Sequence, residues 1–79
     1  MSEHALTATV LIRVDAHAGQ WVPLADLVRF TGLHEQRVRE CADALVQRGQ
    51  LHQATASGQQ FYGVHVEGVP PPSVPSLNP

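Results

Sequence analysis

The 79-residue chain is long enough for one domain at most. Its formal net charge is −2, with five arginines, no lysine and seven acids, whereas a domain built mainly to hold DNA phosphates usually carries a clear basic excess. The single cysteine, Cys41, excludes a disulfide within the chain and fits a reducing compartment, and no apolar run approaches the roughly 20 residues of a membrane span, so we expect a cytoplasmic protein.

Residues 4–18 contain neither glycine nor proline and predict a first helix that ends at Gly19, although the β-branched run 9–12 would also suit a strand. Two apolar stripes lie on roughly opposite sides of this helix: Thr7, Val10, Leu11, Val14 and Ala18 on one side, and Ala5, Ala8, Ile12 and Ala16 on the other. A helix that is apolar on two sides usually has two surfaces to cover. We expect the first stripe to pack on the other helices and the second to form a twofold homodimer interface, the alternative being a merely tolerant surface.

Two further helices follow a short extended link at Trp21 and Val22. Pro23 suits the first turn of the second helix, whose inward residues are Leu24, Leu27 and Val28, and a glycine-containing turn at 31–33 ends it. Trp21 and Phe30 are expected to pack at the junction of the first two helices. The third helix is predicted over about residues 35–48, with an inward stripe of Val38, Cys41, Ala42 and Leu45 and with Gly49 as its stop.

Two strand-like segments, 50–55 and 60–66, are joined across residues 56–59 and predict a β-hairpin. Tyr62, Val64 and Val66 alternate with period two and should face the core together with Leu51. Five of the six prolines fall in the last eleven residues. The sequence therefore predicts a mainly α domain with a small β-hairpin over residues 1–66, followed by a disordered proline-rich tail over residues 67–79.

This order of elements resembles the winged helix-turn-helix family of small bacterial and phage regulators. The resemblance rests on the run 24–33 and on a set of later positions, Val38, Ala42, Leu45, Val46, Gly49 and Leu51. It implies a three-helix bundle plus a wing, with residues 35–48 as the recognition helix. The chain departs from the family pattern at His34, where many members have a serine or threonine cap, and in the wing at 53–60, which carries neither arginine nor lysine.

What the resemblance implies for function is a sequence-specific DNA-binding transcriptional regulator whose recognition helix enters the major groove. Gln36 could then pair with adenine, Arg37 with guanine, and Glu40 could accept a hydrogen bond from cytosine. Phosphate contacts would come from the remaining arginines around the helix. The predicted DNA-binding residues are Arg29, His34, Gln36, Arg37, Arg39, Glu40 and Arg48. A homodimer would present two such helices to a palindromic site.

A second interpretation of the same helix stays open. Its charges form i,i+4 and i,i+3 pairs, Glu35 with Arg39, Arg39 with Asp43, and Arg37 with Glu40, which stabilise an exposed helix without any ligand. The line expected to face outward is Gln36, Glu40, Asp43 and Gln47, and its two carboxylates would repel phosphate. The alternative function is therefore a winged-helix module that binds a protein partner, or an accessory subunit of a larger complex.

Catalysis, a metal site and a cofactor are not expected. The five histidines lie on different elements without the spacing of a helical metal site, although His52 and His65 would face each other if the hairpin loop had four residues. Cys41 lies on an apolar stripe and reads as a small core residue. No activating partner for a nucleophile is recognisable, so the chain is not expected to be an enzyme.

Overall fold

Three helices and a three-stranded antiparallel sheet make up the fold in the computed structural model, which describes residues 2–72. Met1 and the end of the predicted tail, residues 73–79, lie outside the described residues. The architecture is mixed α/β and compatible with a winged-helix-like layout. In chain order the elements are α1 (Glu3–Asp15), β1 (Val22–Pro23), α2 (Leu24–Thr31), α3 (Glu35–Gln47), β2 (His52–Ala56) and β3 (Gln59–Gly63).

The sheet has one strand more than the predicted hairpin. β3 lies in the centre, with β2 on one side and β1 on the other, and Val22 and Pro23 face Tyr62 and Phe61 across the ladder. The predicted extended link is thus a two-residue edge strand, too short to show a period-two pattern. Pro23 fits at an edge because it has no N–H to donate, and it is the N-cap residue of α2 instead of belonging to its first turn.

The hairpin turn is shorter than expected. β2 and β3 are joined by Ser57 and Gly58 alone, whose φ angles of 54° and 77° are both left-handed, as a tight two-residue turn of this kind requires. β3 ends at Gly63 and not at residue 66. The pairing of Ala56 with Gln59 next to the turn sets the register, in which His52 faces Gly63 instead of His65. Val66 is nevertheless buried as predicted, because the chain folds back beyond Gly63, while Val64 is half-buried.

The core face of α1 differs in part from the predicted stripe. Its buried residues are Leu6, Val10 and Val14, spaced one turn apart, whereas Thr7 and Leu11 are half-buried and Ala18 is exposed. α1 ends at Asp15 because the next residues form tighter turns, and the N–H of Gly19 donates to the carbonyl of Val64, 2.8 Å away. The opposite stripe of Ala5, Ala8, Ile12 and Ala16 is exposed throughout.

The remaining core follows the predicted pattern closely. The inward residues of α3, namely Val38, Cys41, Ala42 and Leu45, are all buried, as are Leu24, Leu27, Leu51 and Tyr62. Trp21 is half-buried, and its indole Nε1 donates to the carbonyl of Val69, 2.8 Å away, so the first residues after the predicted domain boundary touch the folded part. Phe30 is 48% exposed, with the guanidinium of Arg13 lying 4.7 Å from its ring centre.

Candidate functional site

The start of α3 is capped by a histidine. His34 has an extended backbone, and its Nδ1 accepts a hydrogen bond from the N–H of Gln36 over 3.2 Å. The first N–H groups of a helix have no partner within the helix, and the imidazole nitrogen satisfies one of them as a serine or threonine oxygen would. His34 therefore caps α3 at the position where the family pattern has serine or threonine.

The first two turns of α3 present four of the seven predicted DNA-binding residues on one surface. His34, Gln36, Arg37 and Glu40 are all exposed, and they line one shallow depression together with Glu3 of α1. Within it, the amide Nε2 of Gln36 donates to Glu40 Oε2 over 3.2 Å. The surface therefore combines amide, imidazole, guanidinium and carboxylate groups within the cap and the first two turns of α3.

Arg39 lies on a different side of α3, against the hairpin. Its Nη2 donates to Glu35 Oε2 over 2.6 Å, which is one of the two helical pairs predicted for it. Arg39 also lines a cleft of about 480 Å³ between the start of α2, α3 and the hairpin tip. Its Nε and the Oε1 of Gln60, which lines the same cleft, are buried without a hydrogen-bond partner. Arg39 thus contributes to the hairpin side of the helix rather than to its outer face.

Asp43 does not face outward as expected. It is half-buried, and it accepts a hydrogen bond from the hydroxyl of the buried Tyr62 over 2.6 Å. Two causes raise the pKa of the Tyr62 phenol well above its ordinary value: the larger is burial of the phenol, and the smaller is its hydrogen bond to the carboxylate of Asp43. The contact ties α3 to the central strand and takes one of the two predicted carboxylates away from the outer face.

The other arginines are dispersed. Arg29 and Arg48 are exposed, but Arg48 is the C-cap of α3 and is separated from Arg37 by about 16 Å of helix at 1.5 Å per residue. Arg13, on α1, forms two hydrogen bonds to Asp26 of α2, with distances of 3.0 and 3.1 Å. These bonds hold the pKa of Asp26 below its usual value. The seven predicted residues therefore do not form one continuous positive surface.

A histidine and a carboxylate that the sequence did not connect lie together at the base of the hairpin. His52 Nε2 is 2.7 Å from Glu67 Oε2, and both side chains are largely exposed. The backbone N–H of Glu67 and the imidazole of His52 lower the pKa of this carboxyl. Among residues 2–72, no three histidine, cysteine or acidic side chains are placed to hold a metal ion, and Cys41 is buried.

Comparison with known proteins adds no relative to this description. No protein-family model matches the chain, and no curated protein or solved structure resembles it significantly. Within the described part of the chain, none of the helices has the length and apolar character needed to cross a membrane.

Proposed function

We propose that this chain is a winged helix-turn-helix domain that binds duplex DNA in a sequence-specific way, as a transcriptional regulator without catalytic activity. The observation that carries the proposal is the cluster of His34, Gln36, Arg37 and Glu40, exposed together at the start of a helix whose opposite face is fully packed. A helix fits the major groove, and it meets base edges with the side chains of its N-terminal turns.

Three of the four side chains of the cluster, those of Gln36, Arg37 and Glu40, have a matching base edge. The amide of Gln36 has the donor and acceptor that pair with adenine, and the guanidinium of Arg37 matches the two acceptors of guanine. Glu40 accepts from the amino group of cytosine, once its hydrogen bond from Gln36 is exchanged for the base. The ring of His34 caps the helix, and its backbone carbonyl accepts a hydrogen bond from the N–H of Val38.

Phosphate contacts are expected to be few. Arg29, Arg37 and Arg48 are exposed, but Arg13 and Arg39 are bound to carboxylates, and the hairpin residues 53–60 have no charge. Each phosphate contact changes the slope of log K against log salt by roughly −0.9, so three arginines give a slope of about −3 at most. Discrimination between sequences then rests mainly on the base contacts of α3.

Selection from a random duplex library, followed by fluorescence anisotropy on the enriched duplex, tests the proposal. Arg37→Ala is expected to weaken binding by about 5- to 150-fold and to relax the preference at one base pair, the range of a bidentate contact to guanine. Arg13→Gln also removes one positive charge, but from α1 and outside the cluster, and serves as the control. Circular dichroism checks that this variant is folded. No enrichment, together with no binding at tens of micromolar protein in low salt, would contradict DNA binding.

The balance of charge favours a second candidate, a module that binds a protein. Glu3 and Glu40 border the outer side of α3, and Glu35 lies on its hairpin side. Hairpin residues 53–60 are uncharged, and the chain has a net charge of −2. Such a surface repels a polyanion but suits a partner with complementary polar and basic groups. If DNA binding fails, the same α3 surface should be required for partner capture, and Gln36→Ala together with Glu40→Ala should abolish it.

A further inference from the structure

One side of α1 is an exposed apolar surface that the chain does not cover. Between Ala5 and Ile12 no residue has an ionisable side chain. Ile12 is the most exposed large apolar residue of the described chain, at 65%, and it lies on the stripe defined by Ala5, Ala8, Ile12 and Ala16, all exposed. A helix face in permanent contact with water normally carries charged and polar groups. We call this surface the α1 stripe.

The polar groups around the α1 stripe already have partners. The hydroxyl of Thr9 donates to the carbonyl of Ala5, and that of Thr7 donates to the carbonyl of Glu3. Each oxygen–oxygen distance is 2.8 Å. Arg13 is held on the other flank by Asp26 and by the ring of Phe30. Covering the α1 stripe would therefore not leave a buried hydroxyl or charge without a partner, which is the usual cost of burying a helix face.

We propose that the α1 stripe binds the α1 stripe of a second copy, with the two helices antiparallel about a twofold axis near residue 10. Positions equally distant from the axis then face each other. Ile12 lies against Ala8 of the second copy, and Ala5 lies near Ala16. Each large side chain meets a small one, and the alanines let the two helices approach closely. A stripe facing itself in parallel would instead set Ile12 against Ile12.

Charge complementarity points to a second copy instead of an unrelated partner. His4 and Asp15 are eleven residues apart, which at 100° per residue returns to the same flank of α1 at its opposite end. Antiparallel pairing therefore sets the imidazole of His4 beside the carboxylate of Asp15 of the second copy, and it does so twice. Beside this flank lies an open groove of about 550 Å³, whose lining includes Leu11, Ile12, Asp15 and Val64. In the proposed dimer, the first turn of α1 of the second copy enters this groove.

Sedimentation velocity on the full chain tests the dimer. One pair of short helices is a small interface, so we expect the mass to rise from 8.6 kDa towards twice that value between about 5 and 500 µM protein. Ile12→Glu should raise the dissociation constant at least about tenfold, because it places a charge in the apolar contact. Phe30→Glu adds the same charge at the other strongly exposed apolar residue of the helices and should leave the dimer unchanged.

The orientation is tested by exchanging charges. His4→Glu should weaken the dimer by setting two acids together, and adding Asp15→Arg should restore it. Both changes suit the helix dipole of α1, so a weaker α1 cannot explain the loss. A monomer at every concentration, or equal effects of Ile12→Glu and Phe30→Glu, would overturn the dimer, and a failure of the double variant to recover would overturn the antiparallel pairing. No DNA is present in these measurements, so their outcome is independent of the proposed DNA binding.

Discussion

At the scale of single residues, Tyr62 connects the central strand of the sheet to α3. Its ring is fully buried in the centre of the sheet, while its hydroxyl reaches Asp43 on α3. A buried phenol needs a partner for its O–H, and a carboxylate is a strong acceptor. The pair therefore fixes the position of α3 against the sheet, and with it the orientation of the outer face of α3.

Tyr62→Phe is expected to lower the free energy of unfolding by about 1–3 kcal/mol, because it leaves the half-buried Asp43 without its donor. Urea denaturation measures the change. Asp43→Ala, which has no acceptor, and the double variant complete a thermodynamic cycle, in which a coupling energy close to zero would show that the hydrogen bond contributes nothing.

The same contact predicts a loss of stability at alkaline pH. The pKa of Tyr62 is raised in the folded state, so the neutral phenol is favoured by folding, and this contribution is complete below the ordinary pKa of about 10 and lost as the pH rises towards the folded value. Tyr62 is the only tyrosine, so phenolate absorbance should appear together with unfolding. Phenolate appearing near pH 10 while the fold persists would contradict this assignment.

At the scale of elements, α3 depends on its unusual cap. His34→Ala should destabilise the protein by about 0.5–1 kcal/mol, since the N–H of Gln36 loses its acceptor. His34→Ser should keep or improve stability, because serine is a better cap. Urea denaturation of both variants separates capping from any contact to DNA. Equal stability of the alanine and serine variants would show that the ring does not act as a cap.

The end of β3 depends on a close approach at Gly63. A Cβ there would lie 2.7 Å from Cγ1 of Val66 and 3.2 Å from the carbonyl oxygen of Gln20. Gly63→Ala should therefore cost about 1–3 kcal/mol of stability, and less when Val66→Ala makes room. Gly58→Ala is the comparison, because its Cβ would meet nothing within 4 Å and its cost comes from the left-handed φ alone. A Gly63 penalty that Val66→Ala does not reduce would contradict the steric explanation.

At the scale of the whole molecule, the folded part extends beyond the predicted boundary at residue 66. The hydrogen bond from Trp21 to the carbonyl of Val69 joins residues 48 positions apart. A chain ending at residue 67 should be less stable than one ending at residue 72 by about 0.5–1.5 kcal/mol, because it lacks this acceptor. Its tryptophan emission should also shift to longer wavelength, since Trp21 is the only tryptophan. Identical emission and stability of the two chains would remove this link.

Charge is also organised at this scale. Acids and arginines form bridges in pairs, Arg13 with Asp26 between α1 and α2, and Glu35 with Arg39 within α3. The other arginines, Arg29, Arg37 and Arg48, are spread over α2 and the two ends of α3. If the protein binds the proposed partner, we expect its affinity to come from local side-chain contacts instead of a long-range electrostatic field.

Local periodicity by itself determined much of this protein. It predicted α3 at residues 35–48 against the observed Glu35–Gln47, and all four of its buried residues, because helical hydrogen bonds and the apolar stripe join residues only three or four apart. It also placed the exposed side of α1 and the cluster at the start of α3. The same pattern indicates which positions of α3 face outward, since these are the positions that are not buried.

Only the tertiary structure decided which distant residues meet. The third strand, the Tyr62–Asp43 bond, the Arg13–Asp26 bridge and the His52–Glu67 pair each join separate elements, and the three side-chain pairs span 13 to 19 residues. Such contacts depend on the lengths of the turns and on how the helices cross, and no local period records either. Asp43 was expected to face outward because its position on α3 does not reveal the Tyr62 hydroxyl that it binds. β3 was expected to run to residue 66 because the alternation of Tyr62, Val64 and Val66 does not reveal that the ladder ends at Gly63.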